Sequence, residues 1–381
     1  ANEALIYSLN IPAVRLLNAY GVGAFYHQMK AAGVSTLFRS PDDYGLPLIL
    51  GGAEVTPWDM GRLYMGLANG GRFQDIHYLQ DAPIGYSTEL VSPGASLLIL
   101  EELKELIRPG LEFYWKKYSS QRPIAWKTGT SYGHKDAWAV GSTPHWTVVV
   151  WVGNFDGESN KGLAGMTSAG PLLFNIFQVL PGGEDDWFQA DEKHFVKVQT
   201  CKHTGFYAGQ NCPEAMETLA PRNMKPLRVC PFHKRFFVEN GQHVCSKCWH
   251  GHHKPVHQLA FGADINYYLR QNGNLVTNIP PHRTSCPVGM DRDALQIIYP
   301  LQDAKVFIPK DFDGRHQELI AKVASQFPER ELFWYLNDEL LGTTQRTASF
   351  PLEVRRGKQY LTVVDSEGNE DRVVFSAIAN E

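Results

Sequence analysis

The sequence has 381 residues, a formal net charge of -4, 43% hydrophobic residues and 20% charged residues. These values are typical of a globular protein with two or three domains, each large enough for its own core. No basic block stands out, and no apolar run approaches the roughly 20 residues that a membrane helix needs. We therefore expect a globular protein that binds no nucleic acid.

The first 110 residues predict four helices. Ser8 is predicted to be the N-cap of a helix through Tyr20, and a second, short helix is predicted over residues 24–32. Thr56 followed by Pro57 predicts a helix that runs to Asn69, because a hydroxyl cap and a proline at the first position suit a helix start. Ser92-Pro93 predicts a fourth helix that ends at Pro109-Gly110.

Three strands are predicted next, over residues 124–130, 136–142 and 146–153. Their short links favour antiparallel neighbours. An apolar helix is then predicted from Ala169 to Leu180. Helices around a small antiparallel sheet indicate an α+β domain over residues 1–182.

The remainder divides in composition into two segments. Residues 183–293 contain all six cysteines, between Cys201 and Cys286, which predicts a connector ordered by cross-links and made in an oxidising compartment. Residues 294–381 show short strand patterns at regular spacing, which predicts an antiparallel, Ig-like β-sandwich. Its seven predicted strands cover residues 295–299, 304–308, 318–323, 331–336, 349–354, 359–364 and 371–377.

The segment from Trp126 to Ser131 contains the motif Lys127-Thr128-Gly129, followed by Thr130. A glycine weakens a strand unless another molecule must approach its backbone closely. The Lys127 ammonium and the hydroxyls of Thr128 and Thr130 suit an incoming carboxylate. An ordinary edge strand with a solvated lysine explains this motif equally well by itself. The combination with an upstream S-x-N motif, Ser8-Leu9-Asn10, favours the functional interpretation.

With these motifs, residues 1–182 resemble the C-terminal part of the transpeptidase domain of class A penicillin-binding proteins. The connector and the predicted sandwich resemble a C-terminal module found in that family. The resemblance rests on further matching segments, which are Glu3-Ala4-Leu5, Pro12 to Leu16, Gly51 to Pro57, Ala68 to Gly71, Asp136-Ala137-Trp138 and Trp151-Val152-Gly153.

The resemblance implies a role for each site residue. Ser8 would relay a proton towards the leaving amine, and Asn10 would hydrogen-bond the bound peptide and help to place the catalytic lysine. Lys127 would attract the terminal carboxylate of the substrate, which Thr128 and Thr130 would bind beside Gly129. The backbone N–H of Thr130 would form one arm of the oxyanion hole.

One element of the family pattern is missing. The nucleophile of the family is the serine of an S-x-x-K motif upstream of S-x-N, yet no serine here is followed by lysine three residues later. The glycosyltransferase domain and the N-terminal membrane anchor of the family are also not recognised. We therefore expect a piece of a longer protein that is inactive by itself.

The cysteines allow two interpretations. Cys230, His233, Cys245 and Cys248 have spacing typical of a zinc ribbon and are predicted to lie close together. Alternatively, Cys201 could pair with Cys212, and further disulfides could include Cys286. No metal ligand is assigned among the site residues, and no cofactor is expected.

The predicted function is peptidoglycan synthesis, as part of a periplasmic serine-type D,D-transpeptidase. Its partners would be stem peptides and β-lactams, with cell-wall synthesis proteins at the C-terminal module. The alternative is a non-catalytic fragment that binds peptidoglycan or a partner protein.

Overall fold

The computed structural model describes residues 2–79, 81, 85–106, 122–183, 186–189, 191–245, 247–276, 279–283, 285–286, 294–309 and 317–378. The chain divides into two compact units, residues 1–198 with 218–225 and residues 199–217 with 226–381. The predicted domain boundaries at residues 182 and 293 stay predictions. In the part of the chain just given, no helix has the length and apolar character needed to cross a membrane.

Up to residue 183, the described part of the first unit contains seven α-helices and five strands. The helices are α1 (Asn2–Ile6), α2 (Asn10–Tyr20), α3 (Val22–Ala31), α4 (Pro41–Tyr44), α5 (Pro57–Ala68), α6 (Pro93–Lys104) and α7 (Gly170–Val179). The strands are β1 (Arg72–Gln74), β2 (Ser87–Glu89), β3 (Ala125–Thr130), β4 (Asp136–Ser142) and β5 (Thr147–Gly153).

Two predicted helix starts are confirmed by their caps. The Thr56 hydroxyl accepts a hydrogen bond from the N–H of Asp59 at 3.0 Å, and the Ser92 hydroxyl accepts one from the N–H of Ala95 at 3.3 Å. Each cap satisfies an N–H group that has no partner within its helix. The predicted end of α6 at Pro109-Gly110 lies outside the described residues.

The predicted N-cap of α2 is wrong. Leu9 occupies that position and makes no side-chain cap, and the helix begins at Asn10. Ser8 instead lies in the turn after α1 with a φ of 53°. That left-handed conformation differs from the extended backbone that an N-cap requires.

The central sheet of the first unit is antiparallel with the order β3-β4-β5, as predicted. Ile124, Ala125 and Trp126 are buried at the start of β3, and the Trp126 ring packs edge-on against Phe174 at 4.8 Å between ring centroids. Buried leucines of α6 and apolar residues of α7 complete this core. The buried end of β3 therefore fixes the position of the K-T-G motif that follows it.

The second unit begins in a small pair of strands, β6 (Phe195–Cys201) and β7 (Ala215–Pro221), which the unit boundary crosses. A three-stranded sheet follows in the order β10-β8-β9, from β8 (His233–Glu239), β9 (Gln242–His243) and β10 (Lys254–Leu259). Helix α8 (Ala263–Gln271) comes next. This connector therefore contains regular structure as well as the cysteines.

The C-terminal strands form a three-stranded sheet, β11-β13-β16, and a five-stranded sheet, β12-β18-β17-β14-β15. Their bounds are β11 (Leu295–Tyr299), β12 (Lys305–Phe307), β13 (Leu319–Ser325), β14 (Glu331–Leu336), β15 (Glu339–Gln345), β16 (Ser349–Leu352), β17 (Gly357–Asp365) and β18 (Glu370–Ile378). Buried side chains of both sheets form one hydrophobic core, centred on residues such as Trp334 and Phe375.

Two features of these sheets differ from the sequence prediction. Strand β15 was missed, because its side chains are largely exposed and carry little apolar alternation. Strands β12 and β18 pair in parallel, although a purely antiparallel arrangement was predicted. The assignment to an Ig-like module stays a prediction.

Candidate active site

Strand β3 changes from buried to exposed along its length. Ala125 and Trp126 are buried, Lys127 and Thr128 are partly buried, and Gly129 and Thr130 are exposed. The indole N–H of Trp126 donates to the carbonyl oxygen of Leu106 at 3.4 Å, which anchors the buried end. The K-T-G motif therefore lies on a strand that is rigidly held at one end and open to solvent at the other.

Ser8 reaches this strand from the turn between α1 and α2. The N–H of Ser8 donates to the carbonyl of Leu5 at 3.2 Å, and the N–H of Leu9 donates to that of Ala4 at 2.8 Å. A serine with positive φ is uncommon and costs conformational energy, so the surrounding contacts must hold it there. Leu5 packs on the core that also buries Trp126. The sequence motif S-x-N is thereby placed near the K-T-G motif.

The ammonium group of Lys127 contacts the hydroxyl of Ser8, 119 residues away in sequence. The same ammonium donates to the carbonyl oxygen of Thr128 at 3.0 Å. Burial of the Lys127 side chain lowers its pKa below the ordinary value of 10.5, because desolvation disfavours the charged form. A partly desolvated cation attracts an anion more strongly than a fully hydrated one.

The outer edge of β3 offers backbone groups to a ligand. The N–H of Ser131 donates to the carbonyl of Asp136 at 3.0 Å, so Ser131 points its backbone groups towards β4. Because these groups alternate along an antiparallel strand, the N–H and C=O of Thr130 point away from β4. The same alternation directs the backbone of Thr128 outward. A peptide or an oxyanion at this edge would meet these groups first.

Gly165 is a residue of this region that sequence reasoning missed. It starts a π-helical turn, Gly165–Ala169, and its N–H donates to the Thr130 hydroxyl at 3.0 Å. Because that hydroxyl oxygen accepts this bond, its proton is left to point elsewhere, for example to a carboxylate. No motif identifies Gly165, since its role depends on a close approach between segments 35 residues apart.

The two glycines of this region have different structural demands. A Cβ atom added to Gly165 would lie 2.5 Å from the carbonyl oxygen of Gly129 and 2.7 Å from that of Trp138. A Cβ atom added to Gly129 would meet only the Cβ of Trp138, at an ordinary 3.7 Å. The fold therefore requires glycine at position 165 but does not require it at position 129.

Five of the six predicted site residues form one connected group, and the sixth, Asn10, lies beside it in sequence. Ser8 contacts Lys127, and Thr128, Gly129 and Thr130 follow on the same strand. Asn10 is the first residue of α2, is exposed, and lies two positions after Ser8.

The predicted cysteine grouping is wrong. Cys230 and His233 lie with Cys201 and Cys212, whereas Cys245 and Cys248 lie with Cys286. The reason is strand β8, which begins at His233. The N–H of Val244, next to Cys245, donates to the carbonyl of Phe237. Phe237 lies four residues after His233 on β8, so roughly 13 Å of extended chain separates the two cysteine groups. All six cysteines are free, so the structure does not contain the Cys201–Cys212 disulfide that the alternative interpretation allowed.

The amino-acid sequence is similar to those of several penicillin-binding proteins. Residues 287–375 match the Penicillin-Binding Protein C-terminus Family. Penicillin-binding protein 1C of Escherichia coli (strain K12) is 27% identical over 98% of this chain and 49% of its own length. Penicillin-binding protein 4 of Bacillus subtilis (strain 168) is 28% identical over 38% of this chain and 25% of its own length.

Among solved structures, penicillin-binding protein 1A from Haemophilus influenzae covers 60% of this chain and 41% of its own chain, at 20% identity. Its TM-score of 0.48 is too low to support a conclusion. The chain spans about half the length of the 1C protein and a quarter of the Bacillus protein. These sequence matches confirm the predicted resemblance: the chain is similar to penicillin-binding protein 1C along almost its whole length, and its C-terminal segment matches the family model.

Proposed function

We propose that this chain takes part in peptidoglycan synthesis by supplying the carboxylate-binding side of a serine D,D-transpeptidase site. The observation that carries the proposal is the contact between the Lys127 ammonium and the Ser8 hydroxyl, at the open edge of β3. It brings together the S-x-N and K-T-G motifs, which are far apart in sequence. Relatives named as penicillin-binding proteins support the same chemistry.

Each group has a defined task in this proposal. The Lys127 ammonium attracts the terminal carboxylate of a stem peptide, and the hydroxyls of Thr128 and Thr130 donate hydrogen bonds to it. The outward N–H of Thr130 stabilises the negative oxygen that develops on the scissile carbonyl. Ser8 relays a proton towards the departing amine, and Asn10 holds the peptide backbone.

The overall reaction has two halves. A serine hydroxyl attacks the peptide carbonyl, D-alanine leaves with the relayed proton, and an acyl-enzyme ester remains. The amine of a neighbouring stem peptide then displaces the serine and forms the cross-link. The activated serine belongs to an S-x-x-K motif, which this sequence does not contain. We place the site in the periplasm, where stem peptides and β-lactams reach it.

Binding of a stem-peptide mimic tests this proposal without requiring turnover. A peptide that ends in D-alanyl-D-alanine should bind the chain, and its C-terminal amide should bind much more weakly. Lys127→Met should weaken binding of the free acid roughly 10- to 100-fold, since a charge-assisted hydrogen bond is worth about 1.5–3 kcal/mol. The matched control is Lys135→Met, an exposed lysine in the following turn. Equal effects of both variants, or equal affinity for acid and amide, would contradict the proposal.

A further inference from the structure

The second unit contains a group of four side chains that the proposed transpeptidase site does not use. The sulfur atoms of Cys201, Cys212 and Cys230 and a ring nitrogen of His233 all lie within 4.8 Å of one another. Cys201, Cys230 and His233 are buried, with exposed fractions of 0%, 8% and 4%. Three free thiols and an imidazole in one buried place need a common explanation.

Distances around His233 supply that explanation. Its Nδ1 atom lies 3.4 Å from the sulfur of Cys201, 3.5 Å from that of Cys212 and 3.4 Å from that of Cys230. An imidazole nitrogen has either one proton or one lone pair, so it makes one hydrogen bond rather than three. Three nearly equal nitrogen–sulfur distances, with all four atoms within 4.8 Å of one another, fit four ligand atoms around one centre.

The same distances agree with tetrahedral coordination of zinc. Zinc–sulfur bonds of about 2.3 Å and a zinc–nitrogen bond of about 2.0–2.1 Å, at a tetrahedral angle, give sulfur–nitrogen separations of roughly 3.5–3.6 Å. The observed 3.4–3.5 Å match this value. A disulfide would join only two of the three sulfurs and would leave the third thiol and the imidazole without a role.

Hydrogen bonds to the sulfur atoms support the same interpretation. The Thr204 hydroxyl donates to the sulfur of Cys230 at 3.3 Å, and the N–H of Gly209 donates to that of Cys212 at 3.3 Å. Donors of this kind stabilise thiolates, which are the form that binds metal. The N–H groups of Thr204 and Gly205 both donate to the carbonyl of Cys201, and Gly205 has a φ of 73°, so a tight turn presents this cysteine.

We propose that Cys201, Cys212, Cys230 and His233 bind one structural zinc ion. The ligands come from the end of β6, the loop after it, and a C-x-x-H turn that leads into β8. Three thiolates and one imidazole, with three of the four side chains buried, form a four-ligand set that is typical of structural rather than catalytic zinc. The ion fastens the end of β6 and the loop after it to the turn that leads into β8.

The second cysteine group differs and serves as the comparison. Cys245, Cys248 and Cys286 also lie within 4.8 Å of one another, but no fourth ligand joins them among the described residues. The guanidinium of Arg283 instead lies beside Cys248 and Cys286, whose thiols raise its pKa, and it forms an ion pair with Glu239 at 2.6 Å. Because only three candidate ligands meet there among the described residues, the zinc proposal is confined to the first group.

The experiment measures zinc in the full chain, purified without chelator. Cys248→Ser removes a thiol from the second group and should keep one zinc ion per chain. X-ray absorption of this variant should show three sulfur neighbours and one nitrogen neighbour. In the same background, Cys230→Ser should lose the zinc, whereas Cys230→His should retain it because imidazole is also a zinc ligand. If Cys230 only fills space, Cys230→Ser should instead be the more stable of the two variants, since serine is closer in size to cysteine than histidine is.

Thiol reactivity gives a second readout on unmutated protein. The zinc-bound thiols of Cys201, Cys212 and Cys230 should resist alkylation until a chelator removes the metal. Folded Cys248→Ser protein without zinc would overturn the proposal. Retention of zinc by Cys230→Ser, or a disulfide mapped between any two of the three cysteines, would do the same.

Discussion

At the scale of single residues, Lys127 is the most informative side chain of the first unit. Its ammonium lies in a partly desolvated place, an environment that is uncommon for lysine and is enriched at functional sites. Its partner Ser8 is held at positive φ, a second local cost at the same point.

We predict that Lys127→Met leaves the protein stable. Methionine keeps the apolar stem without the desolvated charge, so the free energy of unfolding should fall by no more than about 1 kcal/mol, or rise. Denaturant unfolding of the variant beside wild type measures this difference. A loss above about 3 kcal/mol would assign Lys127 a structural role instead.

The lowered pKa of Lys127 also predicts a pH dependence. The unfolded chain keeps the Lys127 proton up to a pH near the ordinary pKa of 10.5, whereas the folded protein releases it at lower pH. Between these two values the unfolded state binds more protons, so stability rises with pH. Wild type should therefore gain stability relative to Lys127→Met as pH approaches 10.5 from below. A constant difference would show that the two states share one pKa.

At the scale of elements, strand β3 and the π-helical turn Gly165–Ala169 form the open edge together. The sequence predicted β3 almost to the residue, because an apolar start and a motif with hydroxyls define it. The sequence does not predict the turn, since the close approach of Gly165 to the backbone of Gly129 and Trp138 depends on residues far away in the chain. In the connector, the sequence shows the C-x-x-H and C-x-x-C pairs but wrongly predicts that they share one site. Strand β8 lies between the two pairs and holds them apart.

The two glycines of this edge should respond differently to alanine. Gly165→Ala forces a methyl group against two carbonyl oxygens and should lower the free energy of unfolding by about 1–3 kcal/mol. Gly129→Ala should change it by no more than about 0.5 kcal/mol, since the added carbon meets only Trp138. Unfolding curves of both variants test this order.

Gly129→Ala, which should hardly change stability, should instead affect peptide binding. Gly129→Ala should weaken binding of a peptide that ends in D-alanyl-D-alanine about tenfold or more, because a methyl group obstructs close backbone approach. Unchanged affinity of this folded variant would place the peptide away from β3.

At the scale of the whole molecule, the chain spans about half the length of penicillin-binding protein 1C. Its sequence contains an S-x-N and a K-T-G motif but no S-x-x-K motif. The C-terminal sheets were predicted well because regularly alternating strands with a shared core leave a clear pattern. What these sheets bind has no comparable pattern, so partner recognition by this module stays a prediction.

We predict that the isolated chain forms no covalent adduct with a penicillin. Acylation requires an activated serine, and no serine in the sequence has the lysine partner of the S-x-x-K motif. Intact-mass spectrometry after incubation should show only the unmodified mass. A stoichiometric increase that maps to Ser8 or any other serine would contradict this prediction.

The most direct test of the central claim is a titration of the isotope-labelled chain, followed by NMR of its backbone amides. The claim is that the edge of β3 beside Ser8 and Lys127 receives a peptide carboxylate. Addition of a peptide that ends in D-alanyl-D-alanine should shift the amide signals of Gly129 and Thr130, and its C-terminal amide should leave them largely in place. Shifts that occur only outside this edge, or that are identical for acid and amide, would contradict the claim.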